Sequence, residues 1–214
     1  MLDFLFPNHT CLACKGESNA PKNPHICDKC AENLPVNTKH MSLKNRTQKQ
    51  HFNKAYAAFK YQDPVVGLIL RLKYNAESHV ATALAPYMRA TLQHHKVSAD
   101  FAIPIPLCKK RQKFRGYNQA LLLAKELDLP VLDDVLLRTK ITEAQKNMTV
   151  DERAENLNDA FEVTENGRKK IKNKRIILVD DVFTSGATTN GCARVLLEAG
   201  AKEVNVCSIA AVAF

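Results

Sequence analysis

The spacing of apolar residues along the chain changes period several times, and each change marks an element. Ile176, Ile177, Leu178 and Val179 form an unbroken aliphatic run, the pattern of a parallel strand buried on both faces in the middle of a sheet. Helical spacing then runs through Leu196 and Leu197 and stops at Gly200, a residue suited to the end of a helix. Residues 204–214 predict a strand that closes the sheet. Upstream, residues 55–61 read as a strand, and Pro64 opens a helix carrying Val65, Val66, Ile69, Leu70 and Leu72. The Ala- and Leu-rich segment 78–94 has helical spacing, with a kink or break predicted at Pro86. Residues 100–106 predict a short strand stopped by prolines; a helix continues through 121–127 and ends before Pro130, and a further strand falls within 131–137. The polar, core-poor segment 139–159 predicts a mobile loop with a short helix. Residues 161–163 and 175–180 then flank a turn signalled by Asn166-Gly167. Both helices between 64 and 94 are expected to cover the sheet. The fold class is α/β with a parallel-sheet core and flanking helices.

Length and cysteine spacing add a second unit. With 214 residues the chain can hold one α/β domain and a small appendage, given roughly 100–200 residues per domain. Four of its seven cysteines, Cys11, Cys14, Cys27 and Cys30, form two C-x-x-C pairs separated by a Pro- and Asn-rich stretch. Four thiolates at knuckle spacing predict a closed, structural Zn²⁺ site in a zinc ribbon over 1–40; a redox-active pair is the alternative reading. Residues 41–53, with Lys44, Arg46 and Lys49 and few apolar positions, read as a basic linker, and 54–214 as the α/β domain. No run approaches the roughly 18 apolar residues of a membrane span, and residues 1–7 lack a basic leader, so the expectation is a cytoplasmic protein without membrane insertion. The formal charge of +9 points to an anionic partner.

The candidate chemistry follows the aliphatic run. Asp180 and Asp181 stand at the carboxyl end of the predicted strand, where open α/β sheets bind ligands. Thr184, Ser185, Gly186, Ala187 and Thr188 then supply hydroxyls, small side chains and free backbone N–H groups at a helix start, an anion site of phosphate size. An acidic helix cap would account for one Asp but for neither the second nor the Thr-Ser-Gly-Ala-Thr run. A second basic stretch, Lys109, Lys110, Arg111, Lys113 and Arg115, follows the proline-stopped strand and suits a second anion. Its bland reading is a solvated loop.

Residues 176–188 resemble the signature of the type I phosphoribosyltransferases, which bind 5-phosphoribosyl 1-diphosphate (PRPP). The resemblance implies that fold, with Asp180 and Asp181 on the ribose hydroxyls and Thr184 to Thr188 on the 5′-phosphate. It further implies that the segment after Pro106 and Leu107 grips the pyrophosphate and that 139–159 closes over the ligand. The Pro106-Leu107 start and Arg115-Gly-Tyr-Asn-Gln-Ala120 are similar to those of the ComF-type members, double-cysteine-pair proteins of DNA uptake. Leu72-Lys-Tyr74, Arg138, Gln145, Arg153 and residues 154–161 extend the likeness over nearly the whole chain. From it follow Mg²⁺ bound with PRPP and roles for Lys73, Arg111 and Arg115 in balancing the departing anion. Single-stranded DNA is an implied partner, and a competence helicase a further one. The DNA-contacting segments are expected to be the ribbon, Lys39 to Lys49 and Lys109 to Arg115, with Phe52, Tyr56, Phe114 and Tyr117 as candidates for base stacking or for core.

Two function classes remain open at this level. One is a phosphoribosyltransferase acting on an acceptor that the sequence does not reveal; the other is a DNA-handling protein built on the PRPP-binding fold. A purely structural zinc protein would leave the second half of the chain unexplained.

Overall fold

The computed structural model describes residues 9–18, 20, 23–42, 49–139 and 160–212. Along them run β1 (His9–Thr10), β2 (Glu17–Ser18), α1 (Asp28–Glu32), β3 (Ala55–Lys60), α2 (Val65–Tyr74), α3 (Val80–His94), β4 (Phe101–Pro104) and α4 (Lys109–Arg115). They are followed by α5 (Gln119–Lys125), β5 (Leu136–Arg138), β6 (Phe161–Val163), α6 (Glu165–Ile171), β7 (Arg175–Phe183), α7 (Ala187–Glu198) and β8 (Glu203–Ala211).

The aliphatic run is the doubly buried strand it predicts. Ile177 and Val179 of β7 enter one hydrophobic cluster with α2, α3 and α5, while Ile176 and Leu178 enter another with β6 and α7. Successive strand side chains point to opposite faces, so a strand covered on both sides carries aliphatic residues at every position. Each such side chain contributes roughly 1.5–3 kcal/mol on burial, which fixes the register of β7 and with it the position of the acidic pair. The sheet has the order β3-β8-β7-β4 and is parallel throughout. Ile176 stands opposite Phe101 on one side and Val204 on the other.

Several expectations need correction. β8 lies inside the sheet and not at its edge, consistent with the burial of every residue from Val204 to Ala211. The helix containing Pro86 is continuous. Proline removes one backbone hydrogen bond there, but Ala83, Leu84, Ala85, Met88 and Leu92 are buried along the same helix, and packing of that long face offsets the loss. Asn166-Gly167 makes no hairpin turn, because residues 165–171 form α6 with Thr164 as its cap; Thr164 Oγ1 accepts from Gly167 N at 2.9 Å. The basic stretch after β4 is a helix, α4, and not a loop. Its Lys, Arg and Gln residues favour helix, and Gly116, at φ 78°, ends it in the left-handed region. The loop predicted over 139–159 falls, beyond Thr139, outside the described residues, as do Gln145, Arg153 and residues 154–159 of the family likeness.

The N-terminal segment docks on this core. Leu12, Ile26 and Leu34 join the cluster formed by α2 and α3. Asn23 Nδ2 donates to Ala83 O at 2.7 Å, and Arg71 Nη1 donates to Leu12 O at 2.6 Å. Val36 and Met41 then pair antiparallel with Phe59 and Ala55, which covers part of an otherwise open sheet edge. Among the described residues no helix is long and apolar enough to cross a membrane.

Candidate functional site

β7 runs through the acidic pair to Phe183, so Asp180 and Asp181 belong to the strand itself. They open into a polar cleft of about 140 Å³. Around it stand Lys73 from α2, Pro106 and Leu107 after β4, Arg111 and Arg115 from α4, Arg138 from β5 and Thr188 from α7. These residues, all but Arg138 nominated as site residues from the sequence, therefore converge from five elements and one loop. Thr184, Ser185 and Gly186 form the adjoining turn from β7 into α7, which Ala187 begins. Gly186 there takes φ 81°, a conformation favourable to glycine. Thr189 Oγ1 donates to Gly186 O at 2.8 Å, and Asn190 N donates to the same oxygen at 2.8 Å, so the turn is held from the helix behind it.

The charges of the cleft are coupled. Lys73 Nζ lies 2.9 Å from Asp181 Oδ1. Burial, and then the neighbouring Asp181 charge, push the Asp180 carboxyl up to about 7; the Asp181 backbone N–H, 2.8 Å from Asp180 Oδ1, and Lys73 only partly oppose this. Near neutral pH one carboxylate is thus paired with an ammonium while the other is poised to exchange a proton. Arg138, which sequence reading did not place in the site, lies against the Phe161 ring at 5.5 Å and has its guanidinium pushed below the ordinary value, chiefly by burial.

Neighbouring contacts fix the cationic wall. Tyr117 Oη donates to Leu72 O at 2.7 Å, next to Lys73, and the Arg115 guanidinium sits 5.2 Å from the Tyr74 ring centre. Asn118 donates from Nδ2 to Ile105 O at 3.0 Å and accepts from Ala120 N at 3.0 Å, tying α5 to the turn after β4. Asn118 and Gln119 also line the cleft; the sequence marks both within the Arg115–Ala120 likeness but gives neither a role in the site. The overlooked signal is the phase of α5: Gln119 shares the buried face of Ala120, Leu123 and Ala124, where an apolar residue is expected.

The four N-terminal cysteines come together as their spacing predicts. Their sulfur atoms lie within 4.8 Å of one another, with Cys14 and Cys27 Sγ 3.9 Å apart. A tetrahedral ion with bonds of ~2.3 Å to sulfur needs sulfurs ~3.8 Å apart, so the donor set fits zinc and leaves no open position. Burial raises Cys11, but backbone hydrogen bonds from Cys14, Cys27 and Ala13 outweigh it and bring the thiol down to about 6. Cys30 is pushed up to about 12 by burial and by the other thiols. Among the described residues no other group of three or more His, Cys, Asp or Glu is so arranged, and His25 is not part of it.

On the outer surface, α4 carries Lys109, Lys110, Arg111 and Lys113 exposed, and Phe114 is 76% exposed beside them. The other stacking candidates differ. Phe52 and Tyr56 are buried in the core and Tyr117 is half-buried behind the cleft. Lys44 and Arg46 lie outside the described residues, whereas the Lys49 carbonyl accepts from Asn190 Nδ2 at 3.0 Å.

Comparison with known proteins matches residues 115–213 to the phosphoribosyl transferase domain. Competence protein F of Haemophilus influenzae is 29% identical over 98% of this chain and 99% of its own length. The DNA utilization protein YhgH of Escherichia coli is 27% identical over 92% of this chain and 87% of its own. Competence protein ComFC of Bacillus subtilis is 32% identical over 67% of this chain and 58% of its own.

Proposed function

Since the chain belongs to the ComF/YhgH family and carries its phosphoribosyltransferase domain, we propose that the cleft at Asp180 binds PRPP with Mg²⁺ and that the protein acts on single-stranded DNA during its uptake. The observation that carries the first part is that two carboxylates, one paired with Lys73, and the cations Arg111, Arg115 and Arg138 line one small cleft. Hydroxyls and phosphates call for these two kinds of partner side by side. Asp180 and Asp181 take the ribose hydroxyls, and the backbone of Thr184 to Thr188 takes the 5′-phosphate. Lys73, Arg111 and Arg115, with the turn at Pro106 and Leu107, take the diphosphate. Mg²⁺ suits this donor set because it keeps phosphate and water oxygens around it and needs few protein ligands; when bound it supplies charge to the diphosphate.

The same arrangement suits displacement at C1′, in which the bond to the diphosphate breaks and its electron pair leaves with that group. The carboxylates favour positive charge on the ribose and the cations favour the departing anion. This supports a second reading, active transfer to an acceptor without any role for DNA.

The DNA reading rests on the exposed Lys109, Lys110, Arg111, Lys113 and Phe114 of α4, on the charge of +9, and on the names of the relatives. A competence helicase is the protein partner that fits such a role. We further propose one structural Zn²⁺ on Cys11, Cys14, Cys27 and Cys30, a ribbon over 1–40, a linker over 41–53, a phosphoribosyltransferase domain over 54–214, and a cytoplasmic location. Thermal shift with PRPP and with single-stranded DNA, each with and without Mg²⁺, tests both halves. Stabilisation by PRPP only with Mg²⁺, and by DNA in low salt, is expected. No shift with PRPP would exclude the cleft reading.

A further inference from the structure

Gln119 is 1% exposed, and neither its Nε2 nor its Oε1 has a hydrogen-bond partner among the described residues. An amide shut away from water bonds at both ends in most folded proteins, because leaving it unpaired forfeits its hydration with no return. The position is not an accident of a loose loop. Asn118 is fastened to Ile105 O, and Ala120, Leu123 and Ala124 anchor the same helix in the core. The side chain lines the cleft that holds Lys73, Arg138 and Asp180.

The amide's needs narrow what can satisfy it. A phosphate oxygen would engage Nε2 alone, and a bare cation Oε1 alone; each leaves the other end unpaired. Phosphate is already provided for by the cationic side chains. A vicinal diol presents an acceptor and a donor side by side, close to the spacing of the two ends of a carboxamide. Its remaining hydroxyl capacity is still available to a carboxylate. We propose that Gln119 is a specificity-determining residue, donating from Nε2 to one hydroxyl and accepting at Oε1 from its neighbour, so that the cleft selects a phosphorylated pentose with adjacent hydroxyls. The proposal rests on the ribose-phosphate reading of the cleft and adds a residue to it.

The test compares ribose 5-phosphate, 2-deoxyribose 5-phosphate and inorganic pyrophosphate on the full zinc-loaded chain by calorimetry, with Mg²⁺ present. The wild type is expected to prefer the ribose over the deoxyribose ester. In Gln119→Met, of similar length and volume, that preference falls roughly tenfold, while pyrophosphate binding stays within twofold. Removing an unpaired buried amide also raises the melting temperature of the ligand-free protein, by roughly 2–4 °C. Gln119→Glu keeps the shape, removes the donor and is expected to lower the same preference; it serves if Gln119→Met does not fold. A wild type that binds neither sugar phosphate overturns the ribose reading and this proposal together. A wild type that binds both, with an unchanged preference in either variant, overturns this proposal alone, as does a lower melting temperature in Gln119→Met.

Discussion

The Lys73 ammonium lies 2.9 Å from the Asp181 carboxylate, joining α2 to β7 inside the cleft, with both side chains less than one-fifth exposed. Burial, and after it the neighbouring Asp181 carboxylate, hold the proton on Asp180. Replacing Lys73 by Met leaves two adjacent carboxylates without their ammonium. The expected cost is about 1–3 kcal/mol in urea denaturation, between an exposed and a fully buried pair. Affinity for PRPP with Mg²⁺ should fall about tenfold or more, because the proposed site sets the same cation against the diphosphate. Unchanged affinity would remove Lys73 from the site.

Asp180 sets a pH dependence whose sign is fixed. Its carboxyl is raised from 3.8 to about 7 in the fold, so the folded chain holds that proton more tightly than the unfolded one. The stability this contributes is fully present below about pH 4 and is lost as pH rises through 7. Thermal melts of the ligand-free protein should show that decline, and Asp180→Asn should flatten it and melt higher than the parent at pH 8. PRPP affinity should move the opposite way, increasing between pH 6 and 8 as the carboxylate becomes free to accept hydroxyls. The Asp180→Asn profile separates this from titration of the ligand's own phosphate.

Metal content is the third expectation. One Zn²⁺ per chain should be found by elemental analysis, and Cys27→Ser should lose it. Leu12, Ile26 and Leu34 share a core with α2 and α3, so zinc removal by a chelator should lower the melting temperature of the whole chain. Cys192→Ala and Cys207→Ala should leave zinc unchanged, since both thiols are buried in the α/β core.

The parts of this fold legible from sequence are those where one local pattern carries one meaning. β7 is written in four aliphatic residues because both its faces are covered, although the strand runs on through the acidic pair to Phe183. The cysteine pairs specify their own cluster. Gly167 misled because a glycine after Asn signals a turn, whereas here it permits close packing: a Cβ would lie 2.7 Å from Thr164 Oγ1 and 3.1 Å from Val135. Arg138 reaches the cleft only because β5 pairs with β6, Leu136 opposite Val163, a long-range register that no local window contains. β8 could not be placed inside the sheet for the same reason: strand order is a property of crossovers, not of composition.

DNA binding through α4 makes a quantitative prediction. Affinity for single-stranded DNA should fall with salt at a log–log slope of about −0.7 for each phosphate neutralised. Changing Lys109, Lys110 and Lys113 together to Ala should flatten that slope, while Phe114→Ala should weaken binding by roughly 1–3 kcal/mol if the ring stacks on a base. PRPP should compete only partly, because the exposed side of α4 lies outside the cleft. Salt-insensitive binding, or none in low salt, would leave transfer to a small acceptor as the reading that survives.

The central claim is that the cleft at the end of β7 is a PRPP site, and calorimetric titration of PRPP with Mg²⁺ tests it most directly. The parent protein should bind with a stoichiometry of one, and Asp180→Asn combined with Asp181→Asn should abolish binding while the four-cysteine cluster keeps its zinc. Equal PRPP affinity in parent and double variant would contradict the account.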